Sequence, residues 1–244
     1  MKQKWTLDEL IDSWLLLPAE EAVVNRHKTD TNRLGVALLL KYFQIAGRFP
    51  HRRRDIPQAA VSFVARQLSV SDSLFNKYNW RGRTIKFHRA AIRDFLDFRQ
   101  GTVADAETVT AWLIEMVLPI EPTFEGLTVA VYERFRTLRI EPPTSGRVER
   151  LVRSAQQRYS EQFCVAVAAQ LSGEAKLALD QLLEREVGDA GYLDGYSPFA
   201  RLKRDAGKIS LKSILAEIDK LQRIRQIALP KALFTGVPAH VIQL

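Results

Sequence analysis

Basic residues gather in two short stretches of the sequence, and one of them runs from residue 81 to residue 93. Within those thirteen positions lie Arg81, Arg83, Lys86, Arg89 and Arg93, with no acidic residue among them. Solubility needs charge of either sign spread over the surface, whereas a cluster of one sign beside aromatic residues is what a polyanion such as DNA would select. The cluster therefore predicts a DNA-contacting element or, if it is only solvated, an ordinary amphipathic helix.

The other basic stretch is "GRFPHRRRD", which we predict to be a loop between two helices. Its cationic or titratable side chains are Arg48, His51, Arg52, Arg53 and Arg54. Loop arginines often contact the DNA backbone, because they replace counterions at phosphates. Loops also collect charge simply because they are exposed to water. Taken alone, this stretch supports both interpretations.

Four further residues near these stretches also have two interpretations. Asn32 and Arg33 open a predicted helix, where they either cap the helix or contact phosphates. His88 lies at the edge of an apolar stripe, a position typical of a core histidine with a hydrogen-bond partner. Trp80 is interpreted as an anchor of the turn near residue 81 rather than as a residue on which a base stacks.

No pattern in the sequence indicates catalysis. Metal-dependent phosphoryl transfer needs carboxylates that converge from different elements, whereas the acids here lie mostly at predicted helix starts or at helical spacing from basic partners. There is no glycine-rich phosphate loop, and the one cysteine and four histidines lack zinc-ligand spacing. We therefore expect no catalytic residue, metal or cofactor in this chain. Cys164 is expected to be a small buried apolar residue.

Charge is distributed unevenly along the 244 residues, whose formal net charge is +8. Residues 1–100 have 18 Lys or Arg against 10 Asp or Glu, and residues 101–244 have 18 against 18. A membrane-surface helix would need large apolar residues exposed opposite the basic ones, and we expect no surplus of exposed aromatic residues there. The apolar runs are also too short to span a bilayer, and the start lacks the order of a secretory signal. The expected partner is DNA, with no membrane and no small-molecule substrate. We expect a cytoplasmic protein that associates with the nucleoid when bound to DNA.

Apolar residues repeat at helical spacing from end to end, without a convincing run of strand-like alternation. We therefore predict an all-α, multi-helical fold of two packed helical subdomains. The first helix should follow a capping box of Thr6 and Glu9, and the third should be capped by Asp30 or Thr31 and end at Gly47. Further helices are predicted from residue 18, from 57 to about 68, from 71 to about 78, from 83 to about 98, from 102 to 118, from 123 to about 138, from 146 for about two dozen residues, from 172 to 184 and from 210 to about 226, with a loop at 188–196.

Residues 71 to about 98 predict a helix-turn-helix-like module: a short helix, a turn containing Gly82, and a longer helix. On a helical wheel of the longer helix, an apolar stripe is formed by Ile85, Ala91, Ile92, Phe95 and Leu96. Lys86, Arg89 and Arg93 share one flank of that stripe. The second helix of such a module enters the major groove, which would place the arginines of the turn near phosphates.

The stretch from Pro142 to Gly146 is the predicted domain boundary, because prolines and small residues favour an extended connector. Residues 1–141 are predicted to be a basic helical DNA-binding domain. Residues 142–244 are predicted to be a second helical domain that extends the DNA contact or supports assembly.

Several segments resemble, in their order and approximate spacing, the N-terminal region of Tn3-family transposases. They are "NRLGVALLLKYFQIAGRFP", "IPQAAVSFVARQLSV", "RGRTIKFHRAAIRDFLDFR", "LRIEPPTSGRVERLVRSAQQRYSEQF" and "LQRIRQIALP". The resemblance covers nearly the whole chain, and its "NRLG…GRF" and "RGRT…HRAAIR" motifs are fairly specific as a set. One departure is "FLDFR", where the family pattern has a glycine before the final Phe-Arg.

This resemblance implies sequence-specific binding of double-stranded DNA at the terminal inverted repeats of a transposon. It also implies that strand cutting belongs to a C-terminal RNase-H-like domain with Mg²⁺, which this chain does not contain. By the resemblance, the DNA-binding positions are Asn32, Arg33, Arg48, Arg81, Arg83, His88, Arg89 and Arg93. The alternative is a helical protein–protein interaction or dimerisation module formed by helices within 146–186 and 210–226, with a homodimer as one outcome.

Overall fold

The computed structural model describes residues 4–184, 197–235 and 237, so the loop predicted at 188–196 lies outside the described residues. Of the residues that the structure describes, 67% are helical and almost none are in strands, which confirms the prediction of an all-α, multi-helical fold. The chain forms two compact units, Met1–Gln156 and Gln157–Leu244. The boundary between these units lies C-terminal to the predicted one, inside the long helix that follows the prolines. The assignment of functions to the two parts stays a prediction.

Seven α-helices lie within the described residues of the first unit. They are α1 Leu7–Trp14, α2 Pro18–Val24, α3 Asp30–Ala46, α4 Gln58–Gln67, α5 Arg83–Phe95, α6 Val103–Trp112 and α7 Phe124–Thr137. Helix α8, Ser145–Gln170, begins in the first unit and ends in the second. The second unit also contains α9 Gly173–Gln181, α10 Pro198–Leu202 and α11 Leu211–Gln226.

Short irregular elements complete the first unit. Two 3₁₀ helices occupy Arg53–Asp55 and Asp72–Lys77, and a π-helical segment, Leu113–Val117, directly follows α6. Two strands that the sequence did not predict, β1 Arg99–Gln100 and β2 Ile140–Glu141, pair in parallel with Arg99 opposite Ile140. Each strand is only two residues long, too short to show an alternating pattern.

Helix ends follow the local capping chemistry of the sequence. Thr6 and Glu9 form the predicted capping box, in which the Thr6 N–H donates to Glu9 Oε2 at 2.9 Å. The predicted cap of α3 was wrong by one or two residues, because Thr29, rather than Asp30 or Thr31, accepts the Asn32 N–H. Gly47 ends α3 as predicted, with a φ of 66° that a residue without a Cβ adopts at little cost.

Helix α3 is the centre of the hydrophobic core of the first unit. Every residue from Leu34 to Phe43 is buried, and the helix packs against α1, α2, α4, α5 and the 3₁₀ helix 72–77. The Lys41 ammonium lies buried in this core, where its Nζ is 3.2 Å from Glu20 Oε2. The core thereby fixes the positions of α5 and of the loop that follows α3.

Gly35 allows an aromatic ring to lie directly against the α3 backbone. A Cβ at this position would lie 2.2 Å from two ring carbons of Tyr78, which is buried. This glycine is the last residue of the "NRLG" motif. Its presence there has a steric reason, because only glycine leaves room for the Tyr78 ring.

Helix α11 of the second unit has a row of exposed apolar residues. The exposed apolar residues of α11 are Leu211, Ile214, Leu215, Ile218, Leu221 and Ile224. Cys164 in α8 is exposed, so the prediction that it is buried was wrong. The buried residues of α8 all lie between Val148 and Ala155, and the helical spacing that suggested burial continues past the part of the helix that is packed.

Candidate nucleic-acid interface

The basic loop after α3 is held in one shape by an acidic residue at its end. One carboxylate oxygen of Asp55, Oδ2, accepts the backbone N–H groups of His51 at 2.8 Å and Arg52 at 2.9 Å. Arg53–Asp55 close the loop with a single 3₁₀ turn. These bonds use the backbone of the loop and leave the side chains of His51, Arg52 and Arg54 exposed.

Two arginines point inward and join this loop to the rest of the unit. A terminal nitrogen of Arg53 donates to the Tyr78 carbonyl at 3.2 Å, and one of Arg89 donates to the Pro50 carbonyl at 3.1 Å. The Arg89 guanidinium also lies over the Phe49 ring, 5.1 Å from its centroid, and burial lowers its pKa. The loop is thus attached directly to α5 and to the segment that precedes α5.

The turn before α5 presents cations beside an uncapped helix end. Gly82, with φ 90°, is the N-cap residue, so no side chain accepts the first N–H groups of the helix, and the first turn has no acidic residue. Arg81, Arg83 and Lys86 are all exposed here. Unsatisfied backbone donors and the helix dipole favour an anion at such an end.

His88 is a core residue, since only 2% of its surface is exposed. Its Nδ1 lies 2.7 Å from the Tyr78 hydroxyl, and its ring contacts that of His27 with centroids 4.5 Å apart. Burial, with a further contribution from His27, lowers the pKa of His88 to about 4. The neutral ring is therefore the form that the fold selects.

The other arginines predicted to bind DNA have partners within the first unit. Arg33 donates to Asn25 Oδ1 at 2.8 Å and to Asp30 Oδ1 at 3.2 Å. Arg48 lies over the Tyr132 ring at 5.2 Å. Arg93 forms an ion pair with Glu141 at 2.7 Å. Asn32 is half-buried at the first turn of α3. The flank of α5 that the helical wheel predicted is thus exposed only at Lys86.

The aromatic residues near the turn before α5 contradict one prediction, about exposed aromatics on α5, and confirm another, about Trp80. Phe87 is 67% exposed and Phe95 is 37% exposed, so the expectation of no surplus exposed aromatics on α5 was wrong, as was the place given to Phe95 in the apolar stripe. Trp80 meets the rings of Phe75 and Tyr78 edge-on, which confirms it as an anchor of the turn.

A third basic segment, in the second unit, was not predicted from the sequence, nor were the residues that hold the basic loop after α3. Residues 197–235 have nine Lys or Arg against three Asp or Glu, an excess that the neutral total of residues 101–244 concealed. Counting charge in shorter windows would have found it. Pro50 and Tyr78 had no such signal, because Arg89 and Arg53 contact them from 39 and 25 residues away in the chain. The contacts of Asp55 are local, since it bonds to His51 and Arg52 in its own loop.

Within the described ranges, no helix is long and apolar enough to cross a membrane. The same residues contain no group of three or more His, Cys, Asp or Glu side chains that could hold a metal ion. Exposed basic side chains of the first unit lie on the loop after α3 and on the turn before α5.

Comparisons with known proteins agree with the predicted resemblance. Residues 1–155 match a protein family described as a domain of unknown function, DUF4158. Over most of its length, the chain is also similar to curated transposases. The transposase for transposon Tn2501 of Escherichia coli is 26% identical over 232 residues, which cover 94% of this chain and 23% of that transposase. The transposase for Tn501 of Pseudomonas aeruginosa is 22% identical over 228 residues, which cover 93% of this chain and 22% of that transposase. The transposase for Tn1546 of Enterococcus faecium is 24% identical over 204 residues, which cover 83% of this chain and 20% of that transposase.

The chain spans about a fifth of the length of these transposases. Together, the family match and these similarities confirm the resemblance to the N-terminal region of Tn3-family transposases. The chain belongs to the DUF4158 family and is similar over most of its length to Tn3-family transposases.

Proposed function

We propose that this chain binds double-stranded DNA at the terminal inverted repeats of a transposon, as the N-terminal part of a Tn3-family transposase. The observation that supports this most strongly is the N-terminus of α5, which is uncapped, lacks acidic residues, and is flanked by exposed Arg81, Arg83 and Lys86. The relatives are named transposases, and a transposase must hold DNA. On this proposal the strand-cutting chemistry, with its Mg²⁺, belongs to another part of the transposase.

The exposed basic side chains that we assign to DNA binding form two groups on a rigid support. His51, Arg52 and Arg54 lie on the loop, and Arg81 and Arg83 lie on the turn before α5. The inward contacts of Arg53 and Arg89 connect the loop to Tyr78 and to α5. Because both groups belong to one packed unit, they can bind phosphates without the entropic cost of ordering a flexible loop.

Sequence preference is assigned to the exposed side of α5. Lys86 can donate to the O6 and N7 acceptors of guanine, and the exposed Phe87 ring can contact the methyl group of thymine. Arg81 and Arg83 would fix the register of the helix through phosphates, which by themselves give no sequence information. On this proposal, three of the remaining candidates stabilise the fold instead of contacting DNA: Arg33, His88 and Arg93.

The second unit extends the DNA contact on this proposal. Its described residues from 197 to 235 have nine basic side chains against three acidic ones. Such an excess favours a polyanion, and counterion release makes the binding salt-dependent. A chain with these contacts would act in the cytoplasm, in association with the nucleoid.

Charge neutralisation at the turn tests the proposal. The Arg81→Gln/Arg83→Gln variant should bind terminal-repeat DNA more weakly, with the slope of log K against log salt reduced by roughly 0.9 for each phosphate that the variant no longer neutralises. The matched control is Arg26→Gln/Arg66→Gln, which removes the same charge from exposed positions outside both groups. Equal affinity and slope for the two variants would reject the role of the turn, provided that circular dichroism shows both to be folded.

A second candidate function, a helical assembly module, is favoured by the exposed apolar face of α11. Ile214, Ile218 and Leu221 recur at three- and four-residue spacing on this helix and are exposed. That spacing is typical of a helix that pairs with another helix, for instance in a second copy of the chain. Light scattering without DNA would detect such a dimer, and Ile218→Gln should dissociate it. A monomer at all concentrations would exclude self-association.

A further inference from the structure

The loop after α3 lines a cavity of about 730 Å³ in the first unit, beside the start of α8. Its lining includes Arg48, Arg52 and Arg54, together with His51 and the hydroxyl residues Tyr42 and Ser145. We infer that this cavity is a binding site for a phosphate group of the DNA backbone, separate from the N-terminus of α5. The inference rests on the proposed DNA binding and specifies where a second phosphate is held.

Electrostatics favour an anion in the cavity. Three guanidinium groups line the cavity, and one carboxylate, that of Asp55, also lines it. The Oδ2 atom of Asp55 already accepts the N–H groups of His51 and Arg52, so this acid serves the loop backbone. Like charges that face one space repel each other, and a bound phosphate removes that repulsion while accepting hydrogen bonds from the guanidinium groups.

The walls of the cavity are held by contacts that do not involve a ligand. Arg48 lies over the Tyr132 ring, which fixes the guanidinium at the side of the cavity. Arg53 and Arg89, which lie outside the lining, bind the loop to Tyr78 and to α5. The cationic side chains therefore project from a loop whose backbone is fixed before DNA arrives.

The start of α8 lies at the same cavity. Ser145 lines the cavity and is the first residue of this 26-residue helix. The Thr144 carbonyl accepts the N–H groups of Arg147 and Val148, so the helix begins directly beside Ser145. The N–H groups of the first turn and the helix dipole both favour negative charge, as at many phosphate sites.

Two phosphate sites on one packed unit would set the register of the DNA. The Arg89 side chain belongs to α5 and holds the Pro50 carbonyl of the loop. The loop that lines the cavity is therefore connected to α5 through Arg89 and to the segment before α5 through Arg53. Phosphates held at both places would fix how α5 lies along the duplex.

The first test compares the full chain with Arg52→Gln/Arg54→Gln, and uses Arg26→Gln/Arg66→Gln as the control of equal charge. With terminal-repeat DNA, the cavity variant should lose roughly 0.9 from the log K against log salt slope, and the control should keep the wild-type slope. A cavity variant that binds DNA with the wild-type slope overturns the inference and leaves the proposed function standing. Failure of the wild-type chain to bind DNA overturns both.

The second test neutralises the DNA instead of the protein. Duplexes with a single methylphosphonate at successive backbone positions should reveal one position that weakens binding by the wild-type chain but not by Arg52→Gln/Arg54→Gln. Equal weakening of both proteins at every position would overturn the inference.

Inorganic phosphate is then titrated into the isotopically labelled chain at constant ionic strength. It should shift the amide resonances of residues 48–55 and 145–147 in the wild type only. If the phosphate shifts appear and no methylphosphonate position is sensitive, the cavity takes free phosphate and the DNA assignment is wrong.

Discussion

Replacing Gly35 by alanine tests the packing that positions both basic groups. The added Cβ would lie 2.2 Å from Cδ2 and Cε2 of Tyr78 and 2.7 Å from its Cζ. Gly35 lies in the buried part of α3, so the helix backbone cannot move away cheaply. The Tyr78 ring must therefore shift, and its hydroxyl must leave His88 Nδ1, 2.7 Å away.

The change in the free energy of unfolding is the sum of two costs and one gain. Overpacking a core costs about 1–3 kcal/mol, and breaking the Tyr78–His88 hydrogen bond costs about 1 kcal/mol. Alanine recovers about 1 kcal/mol over glycine in a helix interior. We expect Gly35→Ala to lower the free energy of unfolding by about 2 kcal/mol, roughly a 4–8 °C fall in Tm for a chain of this size.

Urea unfolding followed by circular dichroism measures this difference. The matched control is Gly146→Ala in α8, where nothing lies within 4 Å of the added Cβ, so its stability should stay the same or rise slightly. Tyr78→Ala should remove the penalty, so Gly35→Ala should cost nothing in that background. If Gly35→Ala costs no more than Gly146→Ala, the contact between α3 and Tyr78 is not as described.

Three further predictions concern single groups. The fold lowers the pKa of His88 to about 4, so the neutral side chain stabilises the fold fully above its ordinary pKa of about 6.5, and this stabilisation is lost as the pH falls toward 4. The free energy of unfolding in urea should therefore decrease by about 2 kcal/mol between pH 7 and pH 5. The same pH dependence in His88→Gln would contradict this assignment. Glu141→Gln leaves the mostly buried charge of Arg93 without its carboxylate and should cost about 1–2 kcal/mol, whereas Glu149→Gln, at an exposed position, should cost little in the same assay. Cys164 is exposed, so a thiol reagent should modify the native chain about as fast as the unfolded chain, and a strongly protected thiol would refute that placement.

The fold was predictable where the information is local. A capping box needs only Thr6 and Glu9 three positions apart, and Gly47 at the end of an apolar helical pattern is enough to end it. The strands β1 and β2 were not predictable, because each consists of two residues and depends on pairing across about forty positions. The predicted burial of Cys164 was wrong for a related reason, since helical spacing does not reveal whether a partner covers the face.

The site was predictable only in part, because charge is visible in a sequence and side-chain direction is not. Arg83 and Arg89 belong to the same cluster, yet Arg83 is exposed while Arg89 donates to Pro50, 39 residues earlier in the chain. Arg93 similarly pairs with Glu141, 48 residues later. A helical wheel contains only the residues of its own helix, so these distant partners could not enter the prediction.

We propose that exposed basic side chains on the loop after α3 and the turn before α5 bind transposon-end DNA. Fluorescence anisotropy with two duplexes of equal length tests it most directly: one with the terminal inverted repeat of the element that encodes the chain, and one with the same bases scrambled, both titrated at several KCl concentrations. We expect tighter binding of the repeat and an affinity for both duplexes that falls steeply with salt. Equal affinity for the two duplexes that does not change with salt would contradict it.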